Sequence, residues 1–365
     1  VTDPDDLRFV RLALDLGRRG LGNAWPNPAV GAVIVKDGIV VGRGWTQPGG
    51  RPHAETEALR RAGAAARGAT LYATLEPCSH HGKTPPCAEA IIAAGIARVV
   101  SAIEDPNPEV AGQGDAMLRA AGIEVTTEVC AEQARRAHAG HIRRILDGRP
   151  HVTLKLAVSA DDKVGLAGRK PARITGEESR ARVHLMRAMN DAILTGIGTV
   201  LSDDPALTCR LPGMEGQSPV RVVLDRELRL PLNSVLATGA GQVPVWLFCA
   251  EDAPAERERA LADAGVIVLR TKADEGGLEL RTVLQALAVR GITRLMVEAG
   301  PKISASFLRA DLVDEAYLLR GSAAIGPDGI DALDGTALSA LTGSLKRIGT
   351  EPVGPDTHQH FERNL

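Results

Sequence analysis

Apolar positions along the chain recur with two periods, near 3.6 and near 2, and their alternation divides it into elements before any chemistry is considered. Between residues 5 and 20, Leu7, Val10 and Leu14 share one face of a helix that acidic residues open and Gly20 closes. β-Branched runs at 29–35 and 39–45 follow, joined through Asp37-Gly38, a two-residue hairpin signal. Residues 53–66, rich in Ala, Glu and Arg, predict a helix, 69–75 a strand and 87–94 a second helix. Strands at 98–103 and 123–129 bracket a helix at 113–121. Such alternation predicts a central sheet with helices on both faces.

An arginine-rich helical pattern over 131–149 runs into Asp147-Gly148-Arg149-Pro150, which has the composition of a turn and a stop. The domain boundary is placed there, giving residues 1–149 and 150–365. The second part opens with a strand at 151–159, followed by an irregular segment rich in Gly and Lys to 173. Further strands are predicted at 220–225, 243–249, 266–270, 294–298 and 316–320, and helices at 177–190, 253–264, 278–290 and 302–310. It too reads as α/β.

Candidate chemistry concentrates in His53-Ala54-Glu55 and in the stretch from Pro77 to Cys87. One imidazole and two thiolates, His53, Cys78 and Cys87, are the donors zinc takes, and three protein ligands leave its fourth position open for catalysis. Glu55 is misplaced as a fourth ligand but can reach a metal-bound water, whose pKa zinc lowers to about 7, and can return the proton to a leaving amine. His-x-Glu followed by Pro-Cys belongs to the signature of zinc-dependent base deaminases, although eight residues rather than two separate the cysteines here. Cys78 and Cys87 would also suit a disulfide or two buried thiols. His80 and His81 compete as ligands, or line a substrate entrance, or are simply solvated.

In the second part no G-x-G-x-x-G follows a strand. Val297-Glu298-Ala299-Gly300-Pro301 ends one strand and starts a helix with proline at its first position, where free N–H groups could hold a phosphate. An ordinary strand-to-helix turn has the same composition.

A length of 365 residues supports two cores. Charged residues make up 24% of the chain and nearly cancel at a formal net charge of −2, so there is no electrostatic case for a nucleic-acid or membrane partner. Aromatics, at 2%, are too few for base-stacking platforms. Five cysteines, an odd number, fit a reducing compartment, and neither a secretory signal nor an apolar run of spanning length is present. A cytoplasmic protein is expected.

The long insert Ser79-His80-His81-Gly82-Lys83-Thr84-Pro85-Pro86 between the cysteines, together with Asn27-Pro28-Ala29-Val30-Gly31-Ala32, Asp105-Pro106-Asn107-Pro108 and Gly112-x-Gly114, resembles the deaminase half of the bifunctional riboflavin-biosynthesis deaminase/reductase family. Lys155-Leu156-Ala157-Val158-Ser159-x-Asp161, Thr195-Gly196-Ile197-Gly198-Thr199-Val200, Asp203-Asp204-Pro205-x-Leu207-Thr208-x-Arg210 and the Glu298 to Pro301 turn resemble its reductase half, which is similar to dihydrofolate reductase. The resemblance covers nearly the whole chain. It implies a cytidine-deaminase-like three-layer α/β/α domain followed by a dihydrofolate-reductase-like α/β domain, with zinc and NADPH as cofactors.

The resemblance further implies NADPH contacts at Ala157, Thr199, Asp203 and the run Gly300, Pro301, Lys302, Ile303, Ser304, Ala305 and Ser306. It implies substrate contacts at Asn27, Arg187, Leu207, Arg210 and Glu298, and Lys155 is the candidate for positioning an opened sugar. Arginine suits a ribose phosphate because its planar fork grips phosphate bidentately. The expected partners are small phosphoribosylaminopyrimidines and further copies of the chain. Two departures stand out: Asp161-Asp162 replaces the family's Asp-Gly, and Pro171 and Arg173 stand where many members carry Ser and Trp. Two other readings compete. A free nucleoside or base deaminase with an unrelated C-terminal domain would leave the second half unexplained, and a non-catalytic descendant is at odds with intact His53, Glu55, Cys78 and Cys87.

Overall fold

The computed structural model describes residues 3–82, 85–166, 173–274 and 276–363; Lys83, Thr84 and Pro171 from the motifs above lie outside the described residues. The chain divides into two compact units, Val1–Arg149 and Pro150–Leu365.

The first unit is a five-stranded sheet in the order β2-β1-β3-β4-β5, comprising β1 (Gly31–Lys36), β2 (Ile39–Trp45), β3 (Thr70–Ala73), β4 (Arg98–Ser101) and β5 (Glu124–Thr126). β1 is antiparallel to β2 and β3, and the other pairs are parallel. Asp37 and Gly38 have φ of 51° and 76°, the left-handed pair that a tight hairpin turn requires. Helices are α1 (Pro4–Gly17), α2 (Ala54–Ala62), α3 (Cys87–Ala94), α4 (Gln113–Ala120), α5 (Ala131–Ala137) and α6 (Ala139–Asp147). Asp3 caps α1 by accepting from the Asp5 N–H at 2.9 Å, and Pro4 occupies its first turn. The arginine-rich stretch expected to be one helix is broken at His138 into α5 and α6.

Val33, Ile34, Leu71, Ile91, Val99 and Leu118 form the dry centre of this unit. Each fully buried aliphatic side chain contributes about 1.5–3 kcal/mol relative to exposure. Gly44 matters for function, because a Cβ there would lie 2.3 Å from the Ala54 carbonyl oxygen. Its bare backbone lets β2 press against the first turn of α2, and that turn carries His53 and Glu55.

The second unit is a nine-stranded sheet in the order β11-β10-β9-β8-β14-β6-β15-β18-β17. Its strands are β6 (His151–Val158), β8 (Ala192–Gly196), β9 (Val220–Leu224), β10 (Val245–Ala250), β11 (Ile267–Thr271), β14 (Arg294–Val297), β15 (Glu315–Arg320), β17 (Lys346–Val353) and β18 (Asp356–Glu362). Two small antiparallel pairs stand apart from it: β7 (Lys163–Gly165) with β16 (Ile330–Asp331), and the hairpin β12 (Ala273–Asp274) with β13 (Gly277–Leu278). Helices are α7 (Glu177–Ala188), α8 (Ile197–Asp203), α9 (Val235–Thr238), α10 (Ala255–Asp263), α11 (Leu280–Val289) and α12 (Pro301–Arg309).

Strands β11 through β15 are parallel, and β18 and β17 close the sheet antiparallel. β8, β9 and β10 are buried at every residue, as expected of parallel strands covered on both faces. Three strands of the nine-stranded sheet escaped the hydrophobic pattern, as did the four short strands of the small pairs. β8 is a five-residue apolar run too short to separate from the helix before it, β17 is exposed except at its last residue, and β18 threads Thr357, His358, Gln359 and His360.

Candidate active sites

His53 is the N-cap of α2 and Cys87 the first residue of α3, so two of the three predicted donors sit where unpaired helical N–H groups gather. The Cys87 N–H donates to Cys78 Sγ at 3.2 Å. His53 Nδ1 lies 3.3 Å from Cys87 Sγ and 3.6 Å from Cys78 Sγ, and the three ligand atoms fall within 4.8 Å of one another. A tetrahedral zinc with bonds of about 2.0–2.3 Å sets its donors about 3.5–3.8 Å apart, so the triangle fits that ion and leaves one corner for water. His80 and His81 are exposed, and His81 turns to Glu89 at 2.9 Å. Neither joins the triangle.

Asn27 Nδ2 lies 3.0 Å from His53 Nε2 and donates to the Gly50 carbonyl at 3.0 Å. The residue expected on substrate therefore braces the far side of the ligand ring, leaving Nδ1 facing the thiols. Hydrogen bonding to the Cys87 thiol, with His53 beside it, draws the Cys78 thiol down to about 4, and the same shared proton pushes Cys87 well above its ordinary range. Glu55 is only 4% exposed. Burial raises its carboxyl to about 6 against the opposing pull of His53, which suits a group that takes and returns a proton near neutrality.

In the second unit, a cleft of about 1000 Å³ opens at the C-terminal ends of β6, β8, β9 and β14, the edge where open α/β sheets bind ligands. Lys155, Ala157, Thr199, Asp203, Glu298, the run Gly300 to Ile303, and Ser306 line it. Gly300 is the N-cap of α12 and Pro301 its first residue, with φ of −70° at Gly300. That φ suits any residue, and a Cβ there would find only Thr199 Oγ1 at 3.6 Å. The missing side chain thus leaves room on the cleft side of a helix N-terminus, a cradle that fits a cofactor phosphate. Ser304 and Ala305 turn to the buried face of α12, and Ser304 Oγ donates to the Ala299 carbonyl at 3.2 Å.

Glu298 is already engaged. Its Oε1 accepts from Lys155 Nζ at 3.0 Å, and its Oε2 from Arg187 Nε and Nη2 at 3.0 and 2.9 Å. Burial alone would push this carboxyl up, but the Lys155 and Arg187 charges overcome it and hold it at about 2. Arg187 also donates to the Thr208 carbonyl at 3.1 Å, tying α7 to the 207–210 loop. Leu207 is buried at φ 53°, an uncommon left-handed conformation for leucine. Arg210 is exposed, with its main-chain N–H on His184 Nδ1 at 3.3 Å. Sequence reasoning missed Arg226 and Arg229, which follow β9 and line the same cleft. The rule that ligands sit beyond the carboxyl ends of strands would have drawn attention to them.

A buried glutamate beside a His-Cys-Cys triangle in one α/β unit, followed by a cofactor cleft at the strand ends of another, defines a zinc-dependent deaminase joined to a dihydrofolate-reductase-like reductase. Residues 3–103 match the cytidine and deoxycytidylate deaminase zinc-binding region, and residues 150–359 match the RibD C-terminal domain. The riboflavin biosynthesis protein RibD of Escherichia coli K12 is 39% identical over 98% of this chain and 99% of its own length, and that of Aquifex aeolicus VF5 is 40% identical over 98% of each. The structure of Acinetobacter baumannii RibD superposes with a TM-score of 0.87 at 36% identity over 99% of both chains. A diaminohydroxyphosphoribosylaminopyrimidine deaminase/5-amino-6-(5-phosphoribosylamino)uracil reductase from Thermotoga maritima gives 0.85 at 34% identity, also over 99% of both.

The chain belongs to the RibD family, the bifunctional deaminase/reductases of riboflavin biosynthesis. Its cofactors are zinc in the deaminase and NADPH in the reductase.

Proposed function

We propose that residues 1–149 remove the 2-amino group of 2,5-diamino-6-(5-phosphoribosylamino)pyrimidin-4-one by hydrolysis. Residues 150–365 then reduce the ribosyl group of 5-amino-6-(5-phosphoribosylamino)uracil to a ribityl chain. What carries the reading is the triangle of His53, Cys78 and Cys87 with a buried, protonatable Glu55 on the same helical turn as the histidine. Zinc, when bound, supplies a water acidic enough to be deprotonated near neutral pH. Glu55 takes that proton and delivers it to the departing amine. Asn27, which braces the far side of the His53 ring, is placed to orient it.

NADPH supplies the hydride of the second reaction. Gly300, Pro301, Lys302, Ile303 and Ser306 would hold its phosphates, with Ala157, Thr199 and Asp203 along the same cleft; Ser304 and Ala305 would serve from the helix backbone and its packing. Lys155 and Arg187, both anchored by Glu298, set the electrostatics of the site, and Lys155 faces the cleft where the opened sugar would lie. Arg210, its guanidinium exposed, is the group we assign to the ribose phosphate. Leu207 would support the pyrimidine from the same loop.

A coupled assay with the diaminopyrimidine phosphate and NADPH tests this: ammonia release and NADPH oxidation should both occur, and in that order. Ammonia release without NADPH binding would favour a free-base deaminase carrying an unrelated second domain. We further propose that the chain works in the cytoplasm as a homo-oligomer. Its cysteines, two of them given to metal, suit a reducing compartment. β17, the outermost strand of its sheet and exposed nearly throughout, offers an edge for a second copy. Sedimentation of the purified enzyme checks the assembly.

A further inference from the structure

We infer that Glu76 is a positioning residue of the deaminase, clasping the segment that carries Cys78 to the loop 105–112 and the first turn of α4. Glu76 stands two residues before Cys78 and is 3% exposed. Its Oε1 accepts from the N–H groups of Gly114 and Asp115 at 2.9 and 3.2 Å, and its Oε2 from those of Gly112 and Asp105 at 2.9 and 3.2 Å. Four main-chain donors thus converge on one carboxylate, two to each oxygen. An ionised carboxylate alone among side chains of this length accepts on both oxygens and donates on neither.

The clasp has a second contact. A Cβ at Gly114 would lie 1.9 Å from the Pro77 carbonyl oxygen, so the first turn of α4 rests directly on the peptide leading into Cys78. From the other side, the Glu76 N–H donates to the Ile103 carbonyl at 2.9 Å, anchoring the segment just beyond β4. The loop is itself tied down: Asp105 Oδ1 accepts from the Asn107 N–H at 2.9 Å and meets His141 Nε2 of α6 at 3.0 Å. Glu76 therefore fixes the main chain of Pro77 and Cys78 from behind, and with it one corner of the metal triangle. None of these contacts touches the ligand atoms, which is why no metal-binding pattern in the sequence points to this residue.

The inference rests on His53, Cys78 and Cys87 being the zinc ligands, and the test separates the two. Glu76→Gln keeps the size of the side chain but turns one of its two acceptors into an NH2 group facing two N–H donors. The zinc-loaded full chain should then lose zinc to a chromogenic chelator about 10–100-fold faster than wild type, the scale typical of residues that orient metal ligands. Deamination should fall, while reduction of supplied deaminated substrate stays unchanged as a fold control. If Cys78→Ser and Cys87→Ser lose zinc but Glu76→Gln releases it at the wild-type rate, the Glu76 inference is overturned and the ligand assignment stands. If the cysteine variants keep their zinc, the ligand assignment itself falls. Should Glu76→Gln fail to fold, Gly114→Ala decides: its Cβ would meet the Pro77 carbonyl and lie 3.2 Å from Glu76 Oε1, so it pushes the first turn of α4 off both. Faster zinc release supports the clasp, and an unchanged rate removes it.

Discussion

Each unit of this enzyme sets a glutamate at its proposed reactive centre, and the two are held in opposite states. Glu55 is buried with no guanidinium or ammonium of the described residues bonded to it, and burial raises it to about 6. Glu298 is half-buried between Lys155 and Arg187, whose charges hold it at about 2. The difference shows how neighbours decide the role of one residue type. A carboxyl poised near neutrality can shuttle a proton, whereas one locked as an anion can only hold cations in place. Deamination needs the first, because a proton must travel from water to amine. Hydride transfer to a sugar carbon needs no such carrier at Glu298, but it does need charged side chains fixed around an anionic substrate and cofactor.

The comparison is broken most directly by giving both positions the same neutral amide. Glu55→Gln removes the proton acceptor and should lower deamination by about 10²–10⁴-fold, the range for loss of a general acid/base. Zinc content, measured by metal analysis, should stay near one per chain, and reduction of supplied deaminated substrate should persist. Loss of reduction in a folded, zinc-loaded variant would mean that the two sites are not separate. Glu298→Gln should behave in the opposite manner. It leaves Lys155 and Arg187, only 12% and 11% exposed, facing a neutral group. Removing one partner of a buried charge network costs about 3–5 kcal/mol. Thermal denaturation should show that loss in the reductase unit, with reduction impaired and ammonia release retained.

Acid should sharpen the same contrast. Glu298 sits below its ordinary 4.5, so its ion pairs contribute fully above that pH and are lost as pH falls from about 4.5 through about 2. The shift is worth roughly 3–4 kcal/mol. Denaturant midpoints taken between pH 6 and pH 2.5 should therefore fall in the wild type and fall less steeply in Glu298→Gln, where Glu315 and Glu57 still lose their partners. Equal acid sensitivity in the two proteins would show that another group governs the loss.

The same contrast explains what could be read from the residues alone. His53, Cys78, Cys87 and Glu55 stand out in the sequence because zinc accepts few donor types, and the four lie within the single stretch that runs from α2 through β3 to α3. The partnership of Lys155, Glu298 and Arg187 does not, since Glu298 stands 143 residues from Lys155 and 111 from Arg187 and only the parallel sheet brings them together. Fold signals divided along similar lines. Asp37-Gly38 announced its hairpin, and the buried strands β9, β10 and β14 announced themselves through apolar runs. β17 and β18 carry polar residues in place of that period. Helical periodicity at 302–306 contained more than was drawn from it, since Ser304 and Ala305 fall on the inward face of α12 while Lys302 and Ser306 fall outward.

A smaller effect is expected at Gly300, where the reductase cleft depends on a missing side chain rather than on charge. Gly300→Val would place a branched group in the cradle at the start of α12, with no backbone strain because φ is −70°. NADPH titration followed by fluorescence should show binding weakened by about 10–100-fold, equivalent to roughly 1.4–2.8 kcal/mol. Ammonia release should be untouched. Wild-type NADPH affinity would move the cofactor phosphates to another part of the cleft.

The smallest effect should come from Asp162, where the chain departs from the family's Asp-Gly. Its φ is 65°, the left-handed region in which glycine is the default and aspartate one of the few tolerated alternatives. The backbone of the turn is therefore kept although the glycine is not. Asp161 holds the turn: its carboxylate accepts from Ser159 Oγ at 2.6 Å and from the Ile325 and Gly326 N–H groups at 2.9 and 2.7 Å. Asp162 adds a half-exposed pair with Arg320 at 2.5 Å. Asp162→Gly would relieve about 1–2 kcal/mol of left-handed strain. Against that it loses a surface pair worth about 0.2–1 kcal/mol and adds freedom to the unfolded chain worth about 0.4–1 kcal/mol. These terms nearly cancel, so the denaturation midpoint should correspond to a change within about 1 kcal/mol, and NADPH affinity should hold. A loss of several kcal/mol would show that Arg320 depends on Asp162 to shape the end of β6, and the substitution would then count as a structural difference from the family rather than an equivalent way of making the same turn.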